Sequence, residues 1–121
     1  MWAWKAIGQM PLLIIILVML MKYQIRQIAD ALEIAIAGRL TYDDHEQFYQ
    51  LVDTIEDCPG GRILFDLSDL DFIDSAGLGM LVVAKGLAAA KARTVEIRSA
   101  KGLVKKLMIL VKFHEVIPLA D

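Results

Sequence analysis

The sequence has little that would support a disulfide framework, a metal centre or a nucleic-acid-binding surface. Cys58 is the only cysteine among 121 residues, so no intrachain disulfide can form, and its place before a Pro-Gly-Gly turn indicates a structural thiol compatible with a reducing compartment. The two histidines have no paired ligand spacing, so we expect no metal site and no cofactor. A net charge of −2 gives little attraction for nucleic acid, and no direct nucleic-acid binding is expected.

Motifs for nucleotide binding and hydrolysis are missing as well. Gly77 and Gly79 lack the third glycine of the dinucleotide-binding fingerprint, and the sequence has no P-loop. Ser75 could form a hydrolase triad with a carboxylate and either His45 or His114. However, residues 73–77 read IDSAG, which is not the G-x-S-x-G nucleophile elbow, and both histidines lie in ordinary amphipathic segments. The sequence therefore predicts a protein that is not an enzyme.

Residues 1–21 form an apolar segment whose only formal charge is Lys5. The unbroken apolar run over residues 10–21 is marginal in length for a membrane span, although Trp2 and Trp4 are placed as an interfacial belt would be. A cleaved signal peptide is disfavoured because no small-residue cleavage site follows. Three alternatives stay open: a membrane tether, an appendage packed on the domain or on a second copy in a homodimer, and a mis-called start upstream of Met21. Residues 22–121 are predicted to form one domain with one core.

The remaining sequence alternates strand and helix patterns. Alternating apolar residues over 23–36 predict a hairpin with its turn at residues 29–31, and further strands are predicted at 63–67, 94–98 and 116–119. Three amphipathic helices are predicted, the third capped by Ser99. The residues expected to be buried on them are Phe48, Leu51, Val52 and Ile55; Leu78, Leu81, Val82, Ala88 and Ala89; and Leu103, Val104, Leu107, Leu110 and Val111. The predicted fold class is α/β, with a mixed, mostly parallel sheet of four to five strands and three main helices packed against it.

The stretch over residues 64–85 is the most unusual, and it reads LFDLSDLDFIDSAGLGMLVVAK. A buried strand ends near Asp66, and a loop follows that Leu70, Phe72 and Ile73 are expected to anchor in the core. A helix then begins at Asp74 or Ser75, whose short side chains suit an N-cap. Glycines in the first turn of that helix, at 77 and 79, each cost roughly 1 kcal/mol relative to Ala. They predict close approach of another backbone to a smooth, exposed helix start.

Residues 70–79, LDFIDSAGLG, resemble the signature of the anti-sigma factor antagonists of the STAS domain family. In that family a D-S-x-G-L-G segment places a phosphorylatable serine at the start of the second helix. The resemblance covers about residues 23–119 and implies an α/β fold in which Ser75 is the phosphorylation site. It also implies a partner-binding surface made of Asp74, Ser75, Ala76, Gly77, Leu78 and Gly79.

One position departs from the family pattern. Thr41 stands where the family has an aspartate, within a T-Y-D-D sequence that fits a capping box. Asp43 and Asp44 lie near enough to take the place of the missing carboxylate. The partner surface is therefore expected to include Thr41, Asp43 and Asp44.

The resemblance implies a cytoplasmic protein that binds an anti-sigma factor of the serine-kinase type and releases it when Ser75 is phosphorylated, until a serine phosphatase restores the complex. Elementary electrostatics agrees with such a switch. A helix N-terminus tolerates a phosphate, whereas nearly two added charges beside Asp66, Asp69, Asp71 and Asp74 would repel an acidic or closely packed partner. Any membrane contact would be made through residues 1–21, if that segment is the tether among the three alternatives. The alternative function is a STAS accessory subunit of a sensory complex or of a lipid transporter.

Overall fold

The computed structural model describes residues 21–56 and 60–120. The predictions for residues 1–20 and for the turn around Cys58 fall outside these ranges and stay predictions. In chain order the elements are β1 (Met21–Ile28), β2 (Ala31–Leu40), a 3-10 turn (Tyr42–Asp44), α1 (His45–Glu56), β3 (Arg62–Asp66), β4 (Leu70–Ile73), α2 (Ser75–Ala90), β5 (Thr94–Arg98), α3 (Gly102–Leu110), a second 3-10 turn (Phe113–Glu115) and β6 (Leu119–Ala120).

The six described strands form one sheet in the order β1-β2-β3-β5-β6, with β4 paired to β2 off this path. Among them only β1 runs antiparallel to its neighbour, so the sheet is mixed and mostly parallel, as predicted. The sheet has one strand more than the four to five expected, because residues 70–73 form β4 and not a loop. Four residues that include an aspartate are too short a run to show strand alternation in the sequence.

The core lies between one face of the sheet and the helices α1 and α2. Leu32, Ile34 and Ile36 of β2 face it, together with residues of β3 and β5, because alternate strand residues share a face. The ring of Phe48 on α1 packs on that of Phe65 on β3, with centroids 6.1 Å apart. All four residues predicted to be buried on α1 are buried. None of the helices in the described ranges is long and apolar enough to cross a bilayer.

Charged side chains occupy the opposite face of the sheet. Glu33 is only 7% exposed, and its carboxylate accepts a hydrogen bond of 2.6 Å from Arg26 and lies 3.6 Å from Arg98. The hydrogen bond to Glu33 raises the pKa of Arg26, and the charge of Asp66 adds to the effect. Asp66 therefore contributes to the electrostatics of this charged face, and its carboxylate also accepts a hydrogen bond from the backbone N–H of Ser68.

The burial predicted for α3 is largely wrong. Leu103, Leu110 and Val111 are 64%, 78% and 51% exposed, whereas only Val104 and Met108 are buried. The main contacts of this nine-residue helix are with β4 and with the second 3-10 turn, so only a narrow stripe of the helix surface is buried. The N-cap is Lys101 in place of the predicted Ser99, because Ser99 has φ +60° and belongs to the loop that turns the chain away from β5.

Candidate functional site

Asp74 connects the start of α2 to the end of β2. It is the N-cap residue of α2, and one carboxylate oxygen accepts the N–H of Gly77 at 2.7 Å. The other oxygen accepts the N–H of Tyr42 at 3.3 Å, and the Asp74 N–H donates to the carbonyl of Leu40 at 3.4 Å. Since β2 and β4 are parallel, their carboxyl ends meet here, at the sheet edge where α/β folds place their sites.

Gly77 lies against the backbone of β2. A Cβ atom at this position would lie 2.2 Å from the carbonyl oxygen of Leu40 and 2.7 Å from Cγ1 of Ile73. The predicted close approach of another backbone is therefore confirmed for Gly77. It is wrong for Gly79, which is exposed and where an added Cβ would meet nothing within 4 Å. Gly79 contributes only to the smoothness of the helix surface.

Ser75 is the first residue of α2, and its side chain is exposed. Its hydroxyl forms no hydrogen bond with any residue that the structure describes. Asp74 accepts hydrogen bonds from the amides of Gly77 and Leu78. Within the described part of the chain, the amides of Ser75 and Ala76 at the positive end of the helix have no hydrogen-bond partner. A kinase or a binding partner can therefore reach the serine oxygen without opening the fold.

The six motif residues divide between surface and core. Ser75 and Gly79 are exposed, and Asp74 and Ala76 are half-buried. Gly77 and Leu78 are buried and hold α2 against the sheet. The motif thus supplies both the surface that a partner would meet and the packing that fixes this surface in place.

Residues 41–44 also divide in this way. Asp44 is 2% exposed, and its carboxylate accepts the N–H of Thr41 at 2.8 Å and its hydroxyl at 3.1 Å, so the predicted capping box is confirmed. Thr41 itself is 8% exposed. Asp43 is exposed and lies 3.7 Å from Arg39. Of the three residues expected at the partner surface, Asp43 alone presents its side chain to solvent, while Thr41 and Asp44 shape the loop that Asp74 holds.

The exposure of the outer face of α2 was not predicted from the sequence. Val82 was expected to be buried but is 40% exposed, Val83 is 43% exposed and Leu87 is 50% exposed. Ala89, also expected to be buried, is exposed, whereas the predicted burial of Leu78, Leu81 and Ala88 is confirmed. The exposed residues continue from Ser75 along one side of the helix with no charge among them; they are Gly79, Val82, Val83, Gly86 and Leu87, and we call them the α2 face. The feature of the sequence that indicates this exposed apolar surface is a helix that is apolar on all sides.

Acidic and apolar side chains are exposed on β4 and just before it, in the chain that leads to Ser75. Asp71 on β4 and Asp69 before it are exposed. Phe72, expected to anchor the core, is 46% exposed, while Leu70 and Ile73 are buried as predicted. The chain that leads into α2 therefore exposes two carboxylates and Phe72, whereas the α2 face carries no charge.

Neither histidine is bonded to Ser75 in the described structure. Nδ1 of His45 donates to the carbonyl of Tyr42 at 2.7 Å, and the two rings stack with centroids 4.6 Å apart. His114 is exposed on the second 3-10 turn. The described residues contain no group of three side chains suited to hold a metal ion. A cavity of about 70 Å³ lies between α1 and α2, but it is lined by other residues than those of the motif.

Comparisons with known proteins bear on the fold and the family. No curated protein sequence matches the chain. The fold is similar to an anti-sigma factor antagonist from Mycobacterium paratuberculosis, with 17% identity, a TM-score of 0.71, and 84% of this chain and 86% of that chain covered. It is also similar to the Bacillus cell fate determinant SpoIIAA in its phosphorylated form, with 18% identity, a TM-score of 0.62, and 83% and 92% covered.

The fold also occurs as part of a much larger protein. The murine anion transporter Slc26a9 shares 13% identity with a TM-score of 0.70, and the match covers 86% of this chain but 20% of the transporter. These identities show a shared fold. A family model described as "Mlab, STAS domain" matches residues 23–119, which is most of the chain. The chain therefore belongs to the STAS domain family.

Proposed function

We propose that the protein is a phosphorylation-switched anti-sigma factor antagonist. In this proposal the unmodified protein binds an anti-sigma factor of the serine-kinase type, the kinase phosphorylates Ser75 and the complex separates, and a serine phosphatase restores binding. The observation that carries the proposal is the exposed, unbonded hydroxyl of Ser75 at the first position of α2. The protein acts in the cytoplasm by binding, and it catalyses no reaction.

The surroundings of Ser75 explain why a phosphate would act on binding and not on folding. The side chain lies outside the core, and the helix start offers unpaired amides and a positive dipole end to an anion. A partner packed on the α2 face would have to remove water from the phosphate beside the Asp74 carboxylate. Loss of the complex is therefore expected, while the free protein stays folded.

A similar structure supports the chemistry of the switch. SpoIIAA is known in an unphosphorylated form and in a phosphorylated form, and the fold of the present chain is similar to both, with a TM-score of 0.62 in each case. For the present chain, phosphorylation at Ser75 and the identity of the kinase are part of the proposal.

The test compares Ser75→Asp and Ser75→Ala in the full chain for binding to the serine-kinase anti-sigma factor encoded by the same genome. Ser75→Asp is expected to weaken binding at least about tenfold, which corresponds to roughly 1.4 kcal/mol, while Ser75→Ala keeps it. Ser68→Asp is the matched control, because it adds the same charge in the loop before β4 and away from the α2 start. Equal affinity of Ser75→Asp and Ser75→Ala, or an equal loss with Ser68→Asp, would contradict the switch.

The thermal stability of both Ser75 variants gives a second measurement. Ser75 is exposed and makes no hydrogen bond within the described residues, so either substitution should change the free energy of unfolding by no more than about 0.5 kcal/mol. A larger destabilisation of Ser75→Asp would mean that the added charge acts on the fold.

A second candidate function is an accessory subunit of a sensory complex or of a transporter, including a lipid transporter. Two observations favour it: the match to the family model described as "Mlab, STAS domain", and the similar fold within the Slc26a9 transporter. Thr41, which replaces the family's carboxylate, also separates this chain from the antagonist pattern. Purifying the full chain with the products of neighbouring genes distinguishes the two. A kinase-type anti-sigma factor supports the first proposal, and a transporter subunit supports the second.

A further inference from the structure

α3 carries exposed aliphatic side chains that the sheet does not cover. Leu103, Ile109 and Leu110 are 64%, 50% and 78% exposed. Leu103, Lys106 and Leu110 follow one another at i, i+3 and i+7, so they share one side of the helix. We call Leu103, Lys106, Ile109 and Leu110 the α3 surface. Three large aliphatic groups exposed on a nine-residue helix form a patch. Such a patch indicates an interaction surface, whereas single exposed apolar residues do not.

The charges on α3 and at its two ends are of one sign. Lysines stand at 101, 105, 106 and 112, and the sequence has no acidic residue between Glu96 and Glu115. Within the described residues, Lys101, Lys106 and Lys112 form no ion pair. The nearest acids in sequence or in packing are Glu115 after the helix and Asp71 on β4, which α3 contacts. The surface therefore combines a basic potential with exposed aliphatic groups.

These properties select among possible occupants of the α3 surface. A second copy of the same surface would bring lysines against lysines, which is unfavourable. Residues 1–20 contain no acid, so they offer the lysines no counter-charge. An anionic lipid surface satisfies both requirements, because its headgroups attract lysines, and leucine side chains enter the interface while lysine stems reach back to the headgroups. We infer that the α3 surface binds an anionic membrane surface.

The test measures co-sedimentation of the full chain with vesicles of phosphatidylcholine alone and of phosphatidylcholine mixed with phosphatidylglycerol. Lys106→Gln is expected to lower binding to the anionic vesicles by roughly fivefold and to leave binding to neutral vesicles unchanged. Leu110→Ser is expected to lower it by roughly tenfold. Lys91→Gln and Ile28→Ser are the matched controls. Lys91 is exposed at the end of α2 and Ile28 is 41% exposed on β1, so we expect both variants to bind like the unaltered chain.

Two results would overturn the inference. The first is equal binding of the unaltered chain to neutral and anionic vesicles, or equal binding of the α3 variants and the controls, since residues 1–20 alone would then account for any association. The second is a change of self-association, measured by analytical ultracentrifugation, on Leu110→Ser with vesicle binding unchanged; the α3 surface would then bind a second copy. Circular dichroism of each variant confirms that the exposed substitutions leave the fold intact.

Discussion

Gly77→Ala tests the close approach of α2 to β2. The added methyl group would lie 2.2 Å from the carbonyl oxygen of Leu40, and neither the strand backbone nor the buried Ile73 beside it can move away without cost. Overpacking of this kind costs about 1–3 kcal/mol or more, and the better helix propensity of alanine returns up to about 1 kcal/mol. We expect a net destabilisation of about 1–2 kcal/mol, or a fall in the melting temperature of roughly 4–8 °C.

Gly79→Ala is the matched control for this prediction. The substitution is the same, two residues further along the same helix, and its Cβ would meet nothing within 4 Å. It should therefore stabilise the protein by about 0.5–1 kcal/mol through helix propensity alone. Urea unfolding followed by circular dichroism measures both variants. If both shift the midpoint in the same direction, contact with Leu40 is not the reason for a glycine at 77.

Two more substitution series follow from the hydrogen bonds around the site. Asp74→Ala removes the acceptor for the amides of Gly77 and Tyr42 and should destabilise the protein by about 1–2 kcal/mol in thermal unfolding. Asp74→Asn keeps a side-chain oxygen and should keep most of the stability. Equal losses in the two variants would refute the capping role. Asp44→Ala leaves a buried Thr41 N–H without its acceptor and should lower the free energy of unfolding by about 1–3 kcal/mol. Asp43→Ala, at an exposed position, should change it by no more than about 0.5 kcal/mol in the same urea unfolding measurement. The reverse order would show that Asp43 holds the loop.

The parts of the fold that the sequence predicted are those with a strong local pattern. The hairpin closes through a two-residue turn at Ala29 and Asp30, and the stripe of α1 faces the core, because both patterns repeat over several residues. β4 was missed because its pairing with β2 is a tertiary contact of a four-residue segment. The exposure of Val82 and Leu110 was missed because an apolar sequence does not show how wide a stripe the neighbouring elements cover.

The candidate site was predictable only where a residue's role is local. The N-cap at Asp74 and the capping box at Thr41 are set by side chains three residues from their acceptors or donors, so the sequence sufficed for both. The hydrogen bond between Asp74 and Tyr42 joins residues 32 positions apart and could not be read from the pattern. The sequence also could not show that Asp44 is buried and Asp43 exposed, because the path of this loop depends on where β2 ends.

The exposed α2 face is the physical basis of the proposed switch. A partner that covers only Ser75 would gain little apolar area, whereas one that extends to Val82 and Val83 would remove two part-exposed aliphatic side chains from water. Because this favourable contact is uncharged and begins at Ser75, a phosphate at that end must be desolvated before the rest of the face can be covered. In the proposed switch, binding to the α2 face and modification of Ser75 would exclude each other, while the free protein would accommodate either state.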